Sequence, residues 1–254
     1  MLQIHQFPCL SDNYGFLIHD TGTGATAAID TPDADEIMRQ AVGKGWRITD
    51  IWNTHWHPDH AGGNAAIKGK LDVKVTGPTE VERIGAAPDR VVHEGDVVKL
   101  GNLPARVIDV GGHTLGHIAY VFDDAKVAFV GDALFSMGCG RLFEGTPQQM
   151  WTSLQKIASL PDDATLYCAH EYTQSNARFA VTVDKNNPAL KERVAEVDRL
   201  RAANKPTVPM NLRLEKATNP FLRAPLLKDA IALPNAQDWE AFAEIRSRKD
   251  NFKG

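Results

Sequence analysis

The sequence predicts a layered domain of mixed α/β type (α+β or α/β) over residues 1–170, followed by a helical domain over residues 171–254. Three observations carry this. Short apolar segments alternate with turns and helical stretches through the first 170 residues. Four of those segments run straight into a histidine or aspartate, as strands do when a site gathers at their ends. After His170 the strand signal almost disappears and long helical stretches replace it.

In order, Leu2–Phe7, Tyr14–His19 and Ala25–Asp30 read as strands separated by Ser-Asp-Asn and Thr-Gly-Thr-Gly. Asp33 and Asp35 open a helix that Gly43 and Gly45 stop. Ile48–Thr54 is a buried strand, a helix spans about Gly62–Lys68, and Asp72–Thr76 is another strand. Pro78 starts a short helix. Val91–Leu100 and Pro104–Val110 are strands around Gly101-Asn102, and Ile118–Phe122 pairs with Lys126–Val130 across Asp123-Asp124. Pro147–Leu160 is an amphipathic helix and Thr165–Ala169 a last buried strand. Glu171–Val183, Pro188–Ala203 and Asp238–Arg248 are helices, the last two joined by a Pro-rich connector.

Composition narrows the class. The chain is 43% hydrophobic and 24% charged, ordinary for a soluble globular protein. No apolar run approaches the roughly 20 residues of a membrane helix, and Met1–His5 lacks a signal-peptide pattern. Three cysteines without a CxxC argue against a disulfide framework and predict a reducing cytoplasm. A monomer with no membrane or nucleic-acid partner is expected. Residues 1–184 hold 14 basic and 23 acidic side chains, net -9, whereas residues 185–254 hold 14 and 9, net +5. The basic tail suits an anionic ligand, although two solvated surfaces of opposite sign would give the same count.

The densest chemistry lies in Thr54-His55-Trp56-His57-Pro58-Asp59-His60, three histidines and a carboxylate in six residues. Burying them together without a cation would leave many polar groups to satisfy. Further donors follow at strand ends: His113 after Val107–Gly112, Asp132 after Val127–Gly131, and His170 after Leu166–Ala169. One ion could take His55, His57 and His113. A second could take Asp59, His60 and His170, with the two oxygens of Asp132 bridging both. Two cations about 3.5–4 Å apart share a water and lower its pKa toward neutrality. Any one of these histidines alone is more often structural; His5, His19 and His93 are read so, and His117 as a hydrogen-bonding neighbour of a ligand. His170-Glu171 does not continue as HExxH, because position 174 is Gln.

The run His55-x-His57-x-Asp59-His60, with His113, Asp132 and His170 beyond it, resembles the metallo-β-lactamase superfamily. That resemblance implies an αβ/βα sandwich with a dinuclear site at one edge. Gly131–Phe135, Gly138-Cys139-Gly140-Arg141, Ala169–Thr173 and the tail Arg246–Phe252 are similar to the glyoxalase II (hydroxyacylglutathione hydrolase) family over essentially the whole chain. The resemblance implies hydrolysis of S-D-lactoylglutathione to D-lactate and glutathione, with Asp59 and Asp132 catalytic. It implies two divalent ions, zinc foremost, with iron or manganese equally suited to imidazole and carboxylate. The family's glutathione contacts fall on Arg141, Tyr172, Arg246 and Lys249, and cations there suit a ligand with two carboxylates. Basic residues in a last helical turn also complement the helix dipole. The family's Lys and aromatic pair with Tyr is replaced here by Arg141-Leu142-Phe143, so a hydroxyl is missing at Phe143. Cys139, between glycines and without a paired base, is not read as a nucleophile.

Rival functions on the same donors are a nuclease, a mononuclear-iron dioxygenase acting on glutathione persulfide, a general thioesterase or lactonase, and a structural metal-binding protein. The net -9 of residues 1–184 opposes the nuclease. An open set of donors opposes the structural protein.

Overall fold

The computed structural model describes residues 1–85 and 87–254. Contacts divide them into two compact units, one of residues 1–109 and 116–131, the other of residues 110–115 and 132–254.

The first unit begins with a hairpin, β1 (Leu2–Cys9) and β2 (Asn13–Asp20), followed by β3 (Thr26–Ile29), α1 (Ala34–Lys44) and β4 (Asp50–Trp52). The one-turn helix α2 (Pro58–Ala61), α3 (Asn64–Lys70), β5 (Lys74–Gly77) and β6 (Arg90–Val91) come next. β7 (Val97–Leu100), β8 (Leu103–Asp109), β9 (Ile118–Phe122) and β10 (Val127–Gly131) complete the unit. β1 to β6 form a six-stranded sheet in sequence order. Its hairpin half is antiparallel and its β3–β6 half parallel. β7 to β10 pair antiparallel, each with its successor.

Both faces of the first sheet are covered, so β2 and β3 are buried along nearly their whole length rather than alternating. On one face Leu17, Ala28, Ile51 and Val75 pack against Ile37 and Ala41 of α1 and Ile67 of α3. On the other, Phe16 meets Phe129 at 5.6 Å between ring centroids, and Trp52 meets Tyr120 at 5.2 Å and Phe122 at 6.0 Å. The Tyr120 hydroxyl donates to the carbonyls of Asn53 (2.8 Å) and Thr76 (3.3 Å), so this aromatic buries no unsatisfied donor. α1 forms where the acidic start and glycine stop place it. The Asp33 carboxylate accepts from the Asp35 and Glu36 amides, and Gly45 ends the helix in the left-handed region.

The second unit carries the hairpin β11 (Leu134–Phe135) and β12 (Gly138–Cys139), α4 (Pro147–Ala158) and β13 (Thr165–Cys168). α5 (Thr173–Val183), α6 (Pro188–Ala202), β14 (Met210–Asn211), α7 (Leu212–Thr218) and α8 (Asp238–Asp250) follow. Pro147 occupies a first-turn position of α4, with Thr146 as its cap. Phe221 sits in an aromatic chain with Phe179 of α5 and Phe242 of α8, and Phe242 also meets Trp151 of α4.

Three sequence expectations need correction. The strand expected over Val91–Leu100 is two strands in separate ladders, β6 on β5 and β7 on β8. A turn divides them, closed by Asp96 accepting from the His93 amide and by Gly95 at φ +84°. The helix expected from Gly62 is preceded by α2, so Pro58, Asp59 and His60 are themselves helical. The Pro-rich connector contains α7, whose buried positions include Glu215 and Thr218. A helix that buries polar side chains leaves no apolar period to read.

Candidate metal centre and substrate contacts

In the first unit His55 and His60 lie beside Asp30, which follows β3 at φ +58° and is 5% exposed. Its Oδ1 accepts from the Thr54 amide at 2.7 Å, and its Oδ2 from the Thr54 hydroxyl at 2.8 Å. His60 Nδ1 lies 2.9 Å from the same Oδ2. A carboxylate only accepts, so His60 carries its proton on Nδ1 and turns the Nε2 lone pair away from Asp30. Thr54 Oγ1 spends its proton on Asp30 and accepts from His55 Nδ1 at 3.0 Å, which fixes the same tautomer there.

The remaining lobes converge. His55 Nε2 is 3.1 Å from His57 Nδ1, and His60 Nε2 is 3.5 Å from Asp59 Oδ2. Donors sharing one tetrahedral ion at ~2.0–2.1 Å stand ~3.4 Å apart, so both spacings fit a cation. Asn13 Nδ2 donates to the Asp59 carboxylate at 3.1 Å and steadies it. His117 is fully buried and stacks on His55 at 4.5 Å. Gly131 makes room for it: a Cβ there, at φ +49°, would lie 2.8 Å from the His117 ring and 2.7 Å from Thr54 Oγ1.

In the second unit Asp132 is 6% exposed and presents its two oxygens to two imidazoles. Oδ2 is 3.4 Å from His113 Nε2, and Oδ1 is 3.4 Å from His170 Nε2. This is the spacing of shared coordination on both sides of one carboxylate, the geometry a bridging ligand needs. His113 Nδ1 donates to the Arg141 carbonyl at 2.8 Å, leaving Nε2 with the lone pair. His170 stacks on Tyr172 at 4.6 Å and 4°. The residues present fit a cation by donor type, spacing and tautomer.

The four expected substrate contacts also lie in the second unit. The Arg141 side chain is 67% exposed, with Nε 3.9 Å from Asp250. Tyr172 is partly exposed. Arg246 is 4% exposed: Nε and Nη2 donate to Asp250 at 3.1 and 2.8 Å, and Nη1 to the Cys139 carbonyl at 2.9 Å. Lys249 Nζ donates to Ser175 and lies 5.6 Å from the Phe179 and Phe252 rings. Burial, reinforced by Arg246, Arg178 and Arg141, pushes Lys249 down to about 8. Phe143 is 63% exposed, its ring edge-on to His113 at 5.3 Å. Burial pushes the Cys139 thiol up to about 11, which agrees with its reading as a non-nucleophile.

Sequence reasoning did not single out Asp30 or Thr54. The signal was present, because Ile29-Asp30 is one more apolar strand ending in a carboxylate.

A model of the metallo-beta-lactamase superfamily matches residues 12–170. A model described as hydroxyacylglutathione hydrolase C-terminus matches residues 171–252. The chain is 56% identical to a hydroxyacylglutathione hydrolase of Erythrobacter litoralis over 99% of this chain and 100% of that one. It is also 56% identical to one of Hyphomonas neptunium over 99% of each. Among solved structures, the BLEG-1 B3 metallo-beta-lactamase aligns at TM-score 0.68 and 18% identity, over 87% of this chain and 99% of that one. TTHA1623 in a di-iron-bound form aligns at 0.61 and 22%, over 87% and 100%. At these identities the structural likenesses are of fold.

Proposed function

The chain belongs to the hydroxyacylglutathione hydrolase family, with the metallo-beta-lactamase fold and a C-terminal helical region, and from that premise we propose that it hydrolyses S-D-lactoylglutathione to D-lactate and glutathione. The observation that carries the chemistry is Asp132, whose two oxygens each face a different imidazole at 3.4 Å. His55, His57 and His113 would hold one divalent ion, and Asp59, His60 and His170 a second, with Asp132 as a further ligand. Zinc is the first choice, and iron is the metal of TTHA1623 in its di-iron-bound form. When bound, such ions polarise a thioester carbonyl and make water acidic enough to act near neutral pH.

The chain's own residues do the rest. Asp30, Thr54 and the Arg141 carbonyl hold the protons of His60, His55 and His113 on Nδ1, so that Nε2 stays a donor. Asp59, steadied by Asn13, orients the attacking water. Arg141, Tyr172, Arg246 and Lys249 take the glutathione portion, Arg246 from its place in a buried pair with Asp250. Binding this remote end presents the carbonyl for attack. The departing thiolate is a good leaving group, with a thiol pKa of about 8.5. Residues 1–170 thus serve as the catalytic domain and residues 171–254 as the glutathione-binding domain of a cytoplasmic monomer.

The decisive assay is thiol release from S-D-lactoylglutathione with and without a chelator. Rapid release that the chelator abolishes and divalent metal restores is the expected result; chelator-insensitive release would remove metal from the reaction.

Lys249 gives a second expectation. Charged below pH 8 and neutral above it, it loses its hold on a carboxylate as pH rises. KM should climb roughly tenfold between pH 7 and 9.5, the scale of one charge-assisted hydrogen bond, and Lys249→Arg should flatten the rise. A KM in wild type that ignores pH across this window would take Lys249 out of substrate binding.

A further inference from the structure

The hairpin of β11 and β12 joins two parts of the proposed site: Asp132 lies just before it, and Gly140 and Arg141 just after. Strands of two residues cannot sustain a hairpin, and its turn contains Met137, a non-glycine residue at φ +53°. Side chains from the helical region hold it instead. Glu215 of α7, fully buried, accepts from the Ser136 hydroxyl (3.0 Å), the Met137 amide (2.8 Å) and Asn219 Nδ2 (3.1 Å). Asn219 Nδ2 also spans the carbonyls of Phe135 and Gly138, each at 3.0 Å. Asn176 of α5 donates to the Ser136 carbonyl, and Arg193 of α6 to the Ser136 hydroxyl. Five consecutive residues of the hairpin are therefore tied by side chains, counting the Arg246 bond to the Cys139 carbonyl.

Position is transmitted at close range. A Cβ on Gly140 would lie 2.1 Å from the Asp132 carbonyl and 3.1 Å from His113 Nδ1, so these three residues are in contact. The carbonyl next along the chain, that of Arg141, fixes the His113 tautomer. We propose that Glu215, through the hairpin turn it anchors, is a positioning residue for the metal donors Asp132 and His113. The helical region then builds part of the metal centre as well as receiving substrate. This rests on the assignment of Asp132 and His113 as metal ligands.

The chemistry of the anchor also supplies its control. All three partners donate to Glu215, and burial pushes its carboxyl up. Glutamine can keep its oxygen on the Met137 and Asn219 donors and give its amide to the Ser136 hydroxyl, which can rotate to accept. Alanine can do neither.

The test is cobalt(II) titration of the metal-free protein, with thermal midpoints, on wild type, Asp132→Ala, Glu215→Ala, Glu215→Gln, Asn219→Ala and Val197→Ala. Val197 is buried in the same apolar cluster as Met137 and tests destabilisation alone. Glu215→Ala should weaken cobalt affinity roughly 10- to 100-fold, the range seen when an orienting partner is lost. Glu215→Gln should recover to within a few-fold of wild type, and Val197→Ala should lower the midpoint without moving the affinity. If Glu215→Ala does not fold, Asn219→Ala reads the same turn and should also weaken the metal. Wild-type affinity in Glu215→Ala, or in Asn219→Ala where that stands in, would overturn the proposal while a weakened Asp132→Ala left the ligand assignment standing. Wild-type affinity in Asp132→Ala would overturn the ligand assignment and this proposal with it.

Discussion

Replacing Asp132 with alanine should lower kcat/KM by about a thousandfold or more, about 4 kcal/mol of transition-state stabilisation, and reduce the bound metal below two ions per chain. The carboxylate is the group whose two oxygens face two imidazoles, at 3.4 Å each. Without it His113 and His170 keep their own supports, the Arg141 carbonyl and the Tyr172 ring, but lose the charge between them. Asp132→Asn should fall in between, retaining one acceptor and losing the negative charge. Metal analysis beside steady-state kinetics decides the matter: two retained ions with full activity would end the bridging role.

Replacing Asp30 should act through histidine tautomers. In Asp30→Ala three buried donors, the Thr54 amide, the Thr54 hydroxyl and His60 Nδ1, lose their acceptor. At about 1–3 kcal/mol for each unsatisfied group, the fold should be destabilised by roughly 3–9 kcal/mol and the thermal midpoint should fall sharply. Asp30→Asn is more discriminating. Its amide presents a donor to His60 Nδ1, which invites the ring to move its proton to Nε2 and close the lobe meant for metal. Metal affinity should drop roughly 10- to 100-fold, with a smaller loss of stability than in Asp30→Ala. An Asp30→Asn protein that binds metal as tightly as wild type would show that His60 does not ligate through Nε2.

The legible part of this molecule was whatever repeats or crowds. Strand–turn alternation placed nearly every strand of the first 131 residues, because polar turns separate short apolar segments, of which β2 and β3 are buried along nearly their whole length. The crowding of His55, His57, Asp59 and His60 pointed to a candidate metal site without any tertiary information. The hairpin of β11 and β12 was invisible. Its turn uses Met137 rather than glycine or asparagine, and its hydrogen bonds go to side chains about 40 to 110 residues later. α7 was hidden for a related reason, since it turns Glu215 inward. The burial of Arg246 was equally unreadable. A basic residue toward the end of a helix looks solvated until Asp250 and the Cys139 carbonyl are seen to hold it.

The glycines of the hairpin segment bear on which changes a lineage of this protein could tolerate. A Cβ at Gly138 would meet the Asn176 amide at 2.3 Å, and one at Gly140 the Asp132 carbonyl at 2.1 Å. At Gly140 backbone stands opposite and no rotamer change can absorb the contact; at Gly138 the Asn176 side chain could move aside only by giving up its hydrogen bond to the Ser136 carbonyl. The segment is therefore as vulnerable to gaining one methyl group as to losing a ligand. Much of what preserves its chemistry through mutation is the exclusion of side chains at two positions that perform no chemistry themselves.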